Sequence, residues 1–171
     1  MTTPHQWGMM GDRQHRPSET ALTAPEITEA LSRWRAADRR WGATTLGDPQ
    51  YQDAVTEVIA AWLGYQEAAD ERPGSVMLVV DNDLRYVAVS TGVRDALGYE
   101  PSELIGLRIA DIAARDLVAG TPAEWQRFLE EGRQEGTFRL RARDGRDVSM
   151  RFEARAHHPI PGYHLSRLWV V

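Results

Sequence analysis

The feature that most constrains this chain is a change of hydrophobic period near Ser75. Before it, apolar residues recur at helical spacing in two stretches, which begin near Pro25 and near Asp48. After it, residues 76–80 form a continuous apolar run of strand length, and later stretches alternate apolar with charged side chains. A period near 3.6 indicates an amphipathic helix, whereas a period of two indicates a strand. The sequence therefore predicts two helices followed by a sheet-rich domain.

Local start and stop signals set the expected bounds. Thr23 and Glu26 have the spacing of a capping box, and Asp48-Pro49 is a typical N-cap and first helical residue. Arg72-Pro73-Gly74 ends the second helix. Residues 1–22 show no apolar period, so we expect a flexible tail there. The expected organisation is a tail over 1–22, a helical extension over 23–72 and a sheet domain over 75–171.

Composition excludes several functional classes. The chain has no cysteine, so it has no disulfide, zinc–thiolate site or thiol nucleophile. Its net charge of −5 opposes direct binding to nucleic acid, which needs a basic surface. No stretch approaches the roughly 20 apolar residues of a membrane span, and the N-terminus lacks the apolar segment of a secretory signal. We expect a cytoplasmic protein that binds neither nucleic acid nor membrane.

The domain after Ser75 has a recognisable order of elements. Two strands are followed by short helical pieces, a long helix that starts at the Thr121/Glu124 capping box and runs to Gln134, and three strands. Asp144-Gly145 separates the first two of these three strands and predicts a two-residue type I′ turn. This order predicts an α+β fold.

Three stretches in this order resemble the PAS family of sensory domains. DNDLRYVAVS resembles the first hairpin of the family, ALGYEPSELIGLRIADI its central helical stretch, and FRLRARDGRDVSM a later hairpin. The resemblance covers residues 75–171. It implies a five-stranded antiparallel sheet with short helices on one face, in which the first and last strands are central. It also implies a sensory or regulatory module in signal transduction or transcription regulation, and not an enzyme.

PAS domains often hold a cofactor between the helices and the sheet. A covalent flavin or another cysteine-linked chromophore is excluded because cysteine is absent. Residues 91–136 contain no histidine, so the usual haem ligand is missing and we expect no cofactor. A noncovalent flavin or small ligand stays open. The expected pocket wall, or simply the core, consists of Met77, Val79, Leu97, Leu104, Ile112, Trp125, Phe128, Leu140, Met150 and Phe152.

One pair of histidines has the placement of a weak metal site. If His158 and Tyr163 flank the Pro-Ile-Pro-Gly loop, His157 lies opposite His164, about 5 Å away. Strand alternation then directs His157 away from the helix-covered face. Two ligands without a third make a poor zinc site. We therefore expect two exposed histidines on a hairpin rather than a metal centre.

The two N-terminal helices carry more apolar surface than isolated helices leave in water. We expect them to cover the convex face of the sheet and to form a homodimer interface. A downstream effector domain or a partner protein would receive the signal. The expected interface residues are Ile27, Leu31, Trp34, Trp41, Val55, Val58, Ile59, Trp62 and Tyr65.

Two alternatives from other classes stay open. One is a receptor for a small molecule or a noncovalent flavin. The other is a small cone-shaped α+β enzyme, which would need a buried Asp/His or Tyr/Asp pair where this sequence has apolar residues. The chain is either a fragment of a longer regulator or a stand-alone module.

Overall fold

The structure is a computed structural model that describes residues 25–70, 74–114 and 122–171. The chain divides into two compact units, residues 1–71 and 72–171. The boundary lies where the sequence changes from helical to strand periodicity.

The first unit contains two helices, α1 (Pro25–Gly42) and α2 (Tyr51–Ala68). They pack side by side: the Trp34 and Tyr65 rings stack with centroids 5.2 Å apart, and Ile27 and Ala30 join Tyr65 in one apolar cluster. Arg40 of α1 forms an ion pair with Glu57 of α2. Among the described residues, no helix combines the length and apolar character needed to cross a membrane.

The start of α2 differs from the sequence prediction. The helix begins at Tyr51, with Gln50 as its N-cap. The Asp48 carboxylate instead accepts hydrogen bonds from the Thr45 N–H (2.7 Å) and hydroxyl (3.0 Å), so it closes the preceding turn. A short polar side chain can satisfy either a loop or a helix end. The predicted N-cap at Thr23 lies outside the described residues.

The second unit is an α+β domain with one five-stranded antiparallel sheet in the order β2-β1-β5-β4-β3. The first and last strands are therefore central and the second and third are edges, as predicted. Its elements are β1 (Val76–Asp81), β2 (Tyr86–Val89), α3 (Val93–Leu97), α4 (Pro101–Leu104), α5 (Ile109–Ile112), α6 (Pro122–Glu131), β3 (Arg133–Arg141), β4 (Asp147–Arg155) and β5 (Tyr163–Val170).

One face of the sheet, here called the inner face, carries the main core of this unit. Alternate residues of β1 contribute Val76, Leu78 and Val80, and β5 contributes Leu168. The short helices supply apolar residues to the same cluster, including Leu104, which is completely buried. The opposite face is called the outer face below.

The long helix is shorter than predicted, and the strand after it is longer. α6 ends at Glu131 because Gly132 adopts a positive φ of 75°, which favours glycine and stops a helix. β3 then begins at Arg133 rather than at Thr137. Residues 133–136 have no apolar alternation that could have revealed a strand. The predicted cap at Thr121 lies outside the described residues.

The turn between β3 and β4 is also not the predicted type I′ turn. The Gly145 N–H donates to the Ala142 carbonyl (2.9 Å), and the Ala142 N–H donates to the Arg146 carbonyl (2.7 Å). Gly145 has a φ of 88°, whereas Asp144 has no positive φ. This pattern is a three-residue loop that combines a type I turn with a left-handed glycine.

Both edge strands are partly covered by connecting segments. On β2, the Tyr86 N–H donates to the Leu107 carbonyl (2.9 Å), and the Gly106 N–H donates to the Tyr86 carbonyl (2.8 Å). On β3, the Ala114 N–H donates to the Arg139 carbonyl (3.0 Å). These bonds attach the α4–α5 region to the two sides of the sheet.

Candidate functional site

Most residues of the predicted pocket wall belong to the packed hydrophobic core. Leu97, Leu104, Ile112, Leu140 and Met150 belong to the inner-face cluster, and each is at most 3% exposed. They share this cluster with residues of the short helices and of the strands. They fill the space under α3, α4 and α5 and leave little surface for a ligand.

Two members of the predicted wall lie on the wrong face. Met77 and Val79 alternate with the core residues of β1 and so point to the outer face, where Met77 Sδ accepts a hydrogen bond from Arg167 (3.6 Å). Both are buried. A strand that is apolar at every position carries no alternation, so the sequence did not reveal which residues face the helices.

A different part of the inner face is only half-buried. Phe138 and Phe152 form an edge-to-face pair with ring centroids 5.2 Å apart, and both pack against the core. A Cβ at Gly136 would lie 3.1 Å from the Phe152 ring, so the glycine provides room for it. Ser166 of β5, paired with Leu78, adds a half-buried hydroxyl to this face. This region can contact a small, mostly apolar ligand.

His164 lies at one end of the inner face and is 1% exposed. Its Nδ1 accepts a hydrogen bond from the His157 backbone N–H (3.1 Å), and its Nε2 lies 2.9 Å from Asn82 Oδ1. Because Nδ1 accepts, Nε2 carries the proton and donates to Asn82. The neutral ring therefore joins the β1–β2 turn to the β4–β5 loop.

The same ring supports α6. Trp125 and Phe128 contact the His164 ring edge-on, with centroids 5.0 and 5.9 Å away. Burial lowers the pKa of His164 to about 4; His157 contributes to this shift and Asp81 opposes it. The imidazole is thus a neutral hydrogen-bonded spacer between α6 and the two loops.

In the structure the two histidines of the candidate metal pair lie close together, as predicted, but one of them is buried rather than exposed. The His157 and His164 rings are 5.1 Å apart, yet His164 is buried on the inner face rather than exposed on a hairpin. The register pairs it with Val80, a core residue. His157 Nδ1 also accepts a hydrogen bond, from the Gly162 N–H (3.3 Å). Both rings therefore already use Nδ1 within the protein.

The haem argument from sequence overlooked His164, which lies beyond residues 91–136. Both of its ring nitrogens are hydrogen-bonded, so ligation of a metal would break at least one of these bonds. Within the described residues, no group of three or more His, Asp or Glu side chains is placed to hold a metal ion.

The predicted dimer interface is largely buried within a single chain. Val58 and Ile59 are completely buried, and Trp34 and Leu31 are half-buried. Val58 and Ile59 therefore offer a second copy no surface, whereas Trp34 and Leu31 keep part of theirs exposed. The remaining members of the predicted interface are also buried: Ile27, Trp41, Val55, Trp62 and Tyr65.

Comparison with known families agrees with this architecture. A family model described as the PAS fold matches residues 71–162, more than half of the chain. The chain belongs to the PAS family. Membership makes it a signalling or sensory module, since PAS domains are typically sensory rather than enzymatic.

Solved structures of PAS domains are similar to part of this chain at low sequence identity. The PAS-B domain of Drosophila melanogaster Cycle, with bound ethylene glycol, is 14% identical with a TM-score of 0.49, and the match covers 56% of this chain and 99% of that domain. A variant of that domain with bound glycerol gives the same values. A PAS domain from Colwellia psychrerythraea is 14% identical with a TM-score of 0.49, covering 64% and 97%. No curated protein matches the sequence.

Proposed function

We propose that this PAS domain is a regulatory module that converts a change at α6 into changed contacts with other proteins. The observation that carries the proposal is the cluster around His164. One ring touches both aromatic residues of α6 and is hydrogen-bonded to two loops at the end of the sheet. Displacement of α6 would therefore alter both loops.

α6 is suited to move because little of it is buried. Phe128 is its only fully buried residue among those described, and Trp125 is half-buried. An element with few buried apolar contacts opens at lower free energy than the core around it. The central strand β1 is much more completely buried and does not share this exposure.

Hydrogen exchange tests this coupling. In Trp125→Ala, we expect the amides of residues 157–163 to exchange on the order of tenfold faster, because the ring that holds His164 is lost. The control is Arg127→Ala, which changes an exposed residue of the same helix. Unchanged exchange in the loop of a folded Trp125→Ala protein would refute the coupling.

A second candidate function is a receptor for a small, mostly apolar ligand, favoured by the half-buried Phe138, Phe152 and Ser166. Such a ligand would contact the aromatic pair and one hydroxyl, as is typical of small-molecule sites. We expect the purified protein to lack a Soret or flavin absorption band. Mass spectrometry after denaturation identifies a co-purified ligand, and a stoichiometric flavin would favour the receptor over the ligand-free module.

We also propose that the module acts in the cytoplasm, in signal transduction or transcription regulation, and that it forms homodimers. The sequence supports the location through its composition. This dimer would use surfaces other than the buried helical residues described above.

A further inference from the structure

The outer face of β3 and β4 carries its charges in rows. Arg133 lies directly opposite Arg155, and Glu135 lies directly opposite Glu153. One row further along, Arg151 lies opposite Thr137, and the charged residues in all three rows are exposed. Residues two apart on a strand are about 6.7 Å apart. On β3 and β4 the face therefore presents a positive, a negative and a positive row at that spacing, and Arg167 of β5 lies beside Glu153 in the middle row.

This order is unfavourable between β3 and β4. Like charges directly opposite each other destabilise a pair of strands, and both β3–β4 pairs have like charges, whereas on its other side Glu153 lies opposite Arg167 of β5. Exchanging Arg133 with Glu135 would give two opposite-charge pairs with the same composition. Where a sequence breaks a local rule of this kind, a functional reason is expected.

The arginines of these rows are available to a partner. Arg133, Arg151 and Arg155 form no ion pair with any described residue; Arg151 lies over the Trp169 ring, with Cζ 5.8 Å from its centroid. An arginine over an aromatic face stays charged and keeps donors for a carboxylate. Trp169 is half-buried and offers an apolar contact beside it.

The order of the charged rows on β3 and β4 indicates which class of partner can bind there. A nucleic acid has a negative charge at every phosphate, so the Glu135/Glu153 row and the net charge of −5 would repel it. An extended peptide on a sheet face would leave its backbone groups unpaired, whereas a helix satisfies its own. Helix residues four apart are separated by about 6 Å along the axis, close to the row spacing.

We propose that the outer face of β3 and β4 docks a helix of a partner protein with an acidic, a basic and an acidic residue at positions i, i+4 and i+8. The first acidic residue pairs with the Arg133/Arg155 row, the basic residue with the Glu135/Glu153 row, and the second acidic residue with Arg151. This docking surface rests on the proposed function, because it supplies the protein contact that such a module needs.

A synthetic helical peptide with this charge order tests the proposal, with the sign-inverted peptide as its control. Titration of the full chain at low ionic strength, followed by amide NMR, should shift the β3 and β4 signals and the Trp169 indole signal. We expect the inverted peptide to bind about tenfold more weakly, since it places like charges against each row and exposed ion pairs are individually weak. Added salt should weaken the binding.

A charge-conserving exchange sharpens the test. Arg133→Glu combined with Glu135→Arg removes the rows, so we expect the preference between the two peptides to disappear while the melting temperature stays equal or rises. The matched control is Glu29→Arg with Arg33→Glu in α1, which preserves an ion pair between the same two positions. That control should bind both peptides as the unchanged protein does.

Several results would overturn the docking surface. These are equal binding of both peptides, no binding, shifts outside β3 and β4, or an unchanged preference in the exchange variant. A dimer that dissociates in the exchange variant would assign the rows to a second copy instead. The loop-exchange experiment on Trp125→Ala is independent, so failure of the peptide does not imply failure of the coupling through His164.

Discussion

His164 shows how one buried polar residue can organise several elements. Its neutral ring accepts from the His157 N–H, donates to Asn82 and contacts Trp125. A protonated ring would place a donor against the His157 N–H and lose that bond. The protein therefore stabilises one protonation state of this side chain.

We predict a specific pH dependence of stability from this residue. The pKa of His164 is about 4 in the folded protein, below the ordinary value of 6.5. Above pH 6.5 both states are neutral and the residue adds no slope. As the pH falls from 6.5 to 4, the unfolded chain takes up a proton that the folded protein does not, so the free energy of unfolding falls.

Denaturant unfolding at several pH values measures this slope. His164→Gln should reduce the slope in the same pH window, because the titrating group is gone. A variant that keeps the full slope would show that another group causes the acid sensitivity.

At the residue scale, the sequence predicted which side chains lie close together better than it predicted whether they are buried. It placed His157 beside His164 but not the burial of His164, because the register of β5 against β1 is set by pairing over a long sequence distance. Asn82 lies in the turn between β1 and β2. Its partner His164 is distant in sequence, so no local pattern could reveal their hydrogen bond.

At the element scale, two glycines test opposite effects. Gly64 lies exposed within α2, and a Cβ there would meet nothing within 4 Å. Gly92 precedes α3, and a Cβ there would overlap the Ser75 carbonyl oxygen of the neighbouring backbone. Neither glycine has a positive φ, so the two positions differ only in the space available for a Cβ atom.

We predict that Gly64→Ala raises the free energy of unfolding by about 0.5–1 kcal/mol, the ordinary gain within a helix. Gly92→Ala should lower it by about 1–3 kcal/mol or more, because backbone must shift. Chemical denaturation of the two variants checks both signs. A neutral Gly92→Ala would mean that the segment around Ser75 adjusts easily.

Elements with strong periodicity were predictable, and their junctions were not. The identity and order of the strands followed from apolar runs and turn residues. The transition from α6 to β3 did not, because Gly132 ends the helix inside a polar stretch and β3 starts with Arg133, Gln134 and Glu135. The β3–β4 turn was missed for a related reason: Asp-Gly is compatible with more than one loop length.

At the scale of the whole molecule, association between copies can be measured directly. We predict that sedimentation velocity over a wide concentration range shows a reversible dimer. Val58→Asp is a poor probe of it, because Val58 is completely buried in one chain and the change would unfold the protein. A chain that remains monomeric at the highest concentration would contradict the prediction.

The sequence was sufficient for the α+β class and the family, because each rests on a pattern that spans many residues, and the resemblance to the family then implied which strands are central. It was insufficient for the interface. The helical stripe that contains Val58 and Ile59 shows that something covers these residues, but a stripe does not identify the covering surface.

The covered edges of the sheet have a consequence for aggregation. The backbone of Tyr86 on the β2 edge and of Arg139 on the β3 edge forms hydrogen bonds with connecting segments. At these points a strand of another molecule cannot be added to the sheet. Among the described residues, the part of β3 from Arg133 to Thr137 has no such cover. Its charged side chains oppose strand addition there, so this chain should resist fibril growth even when it is concentrated.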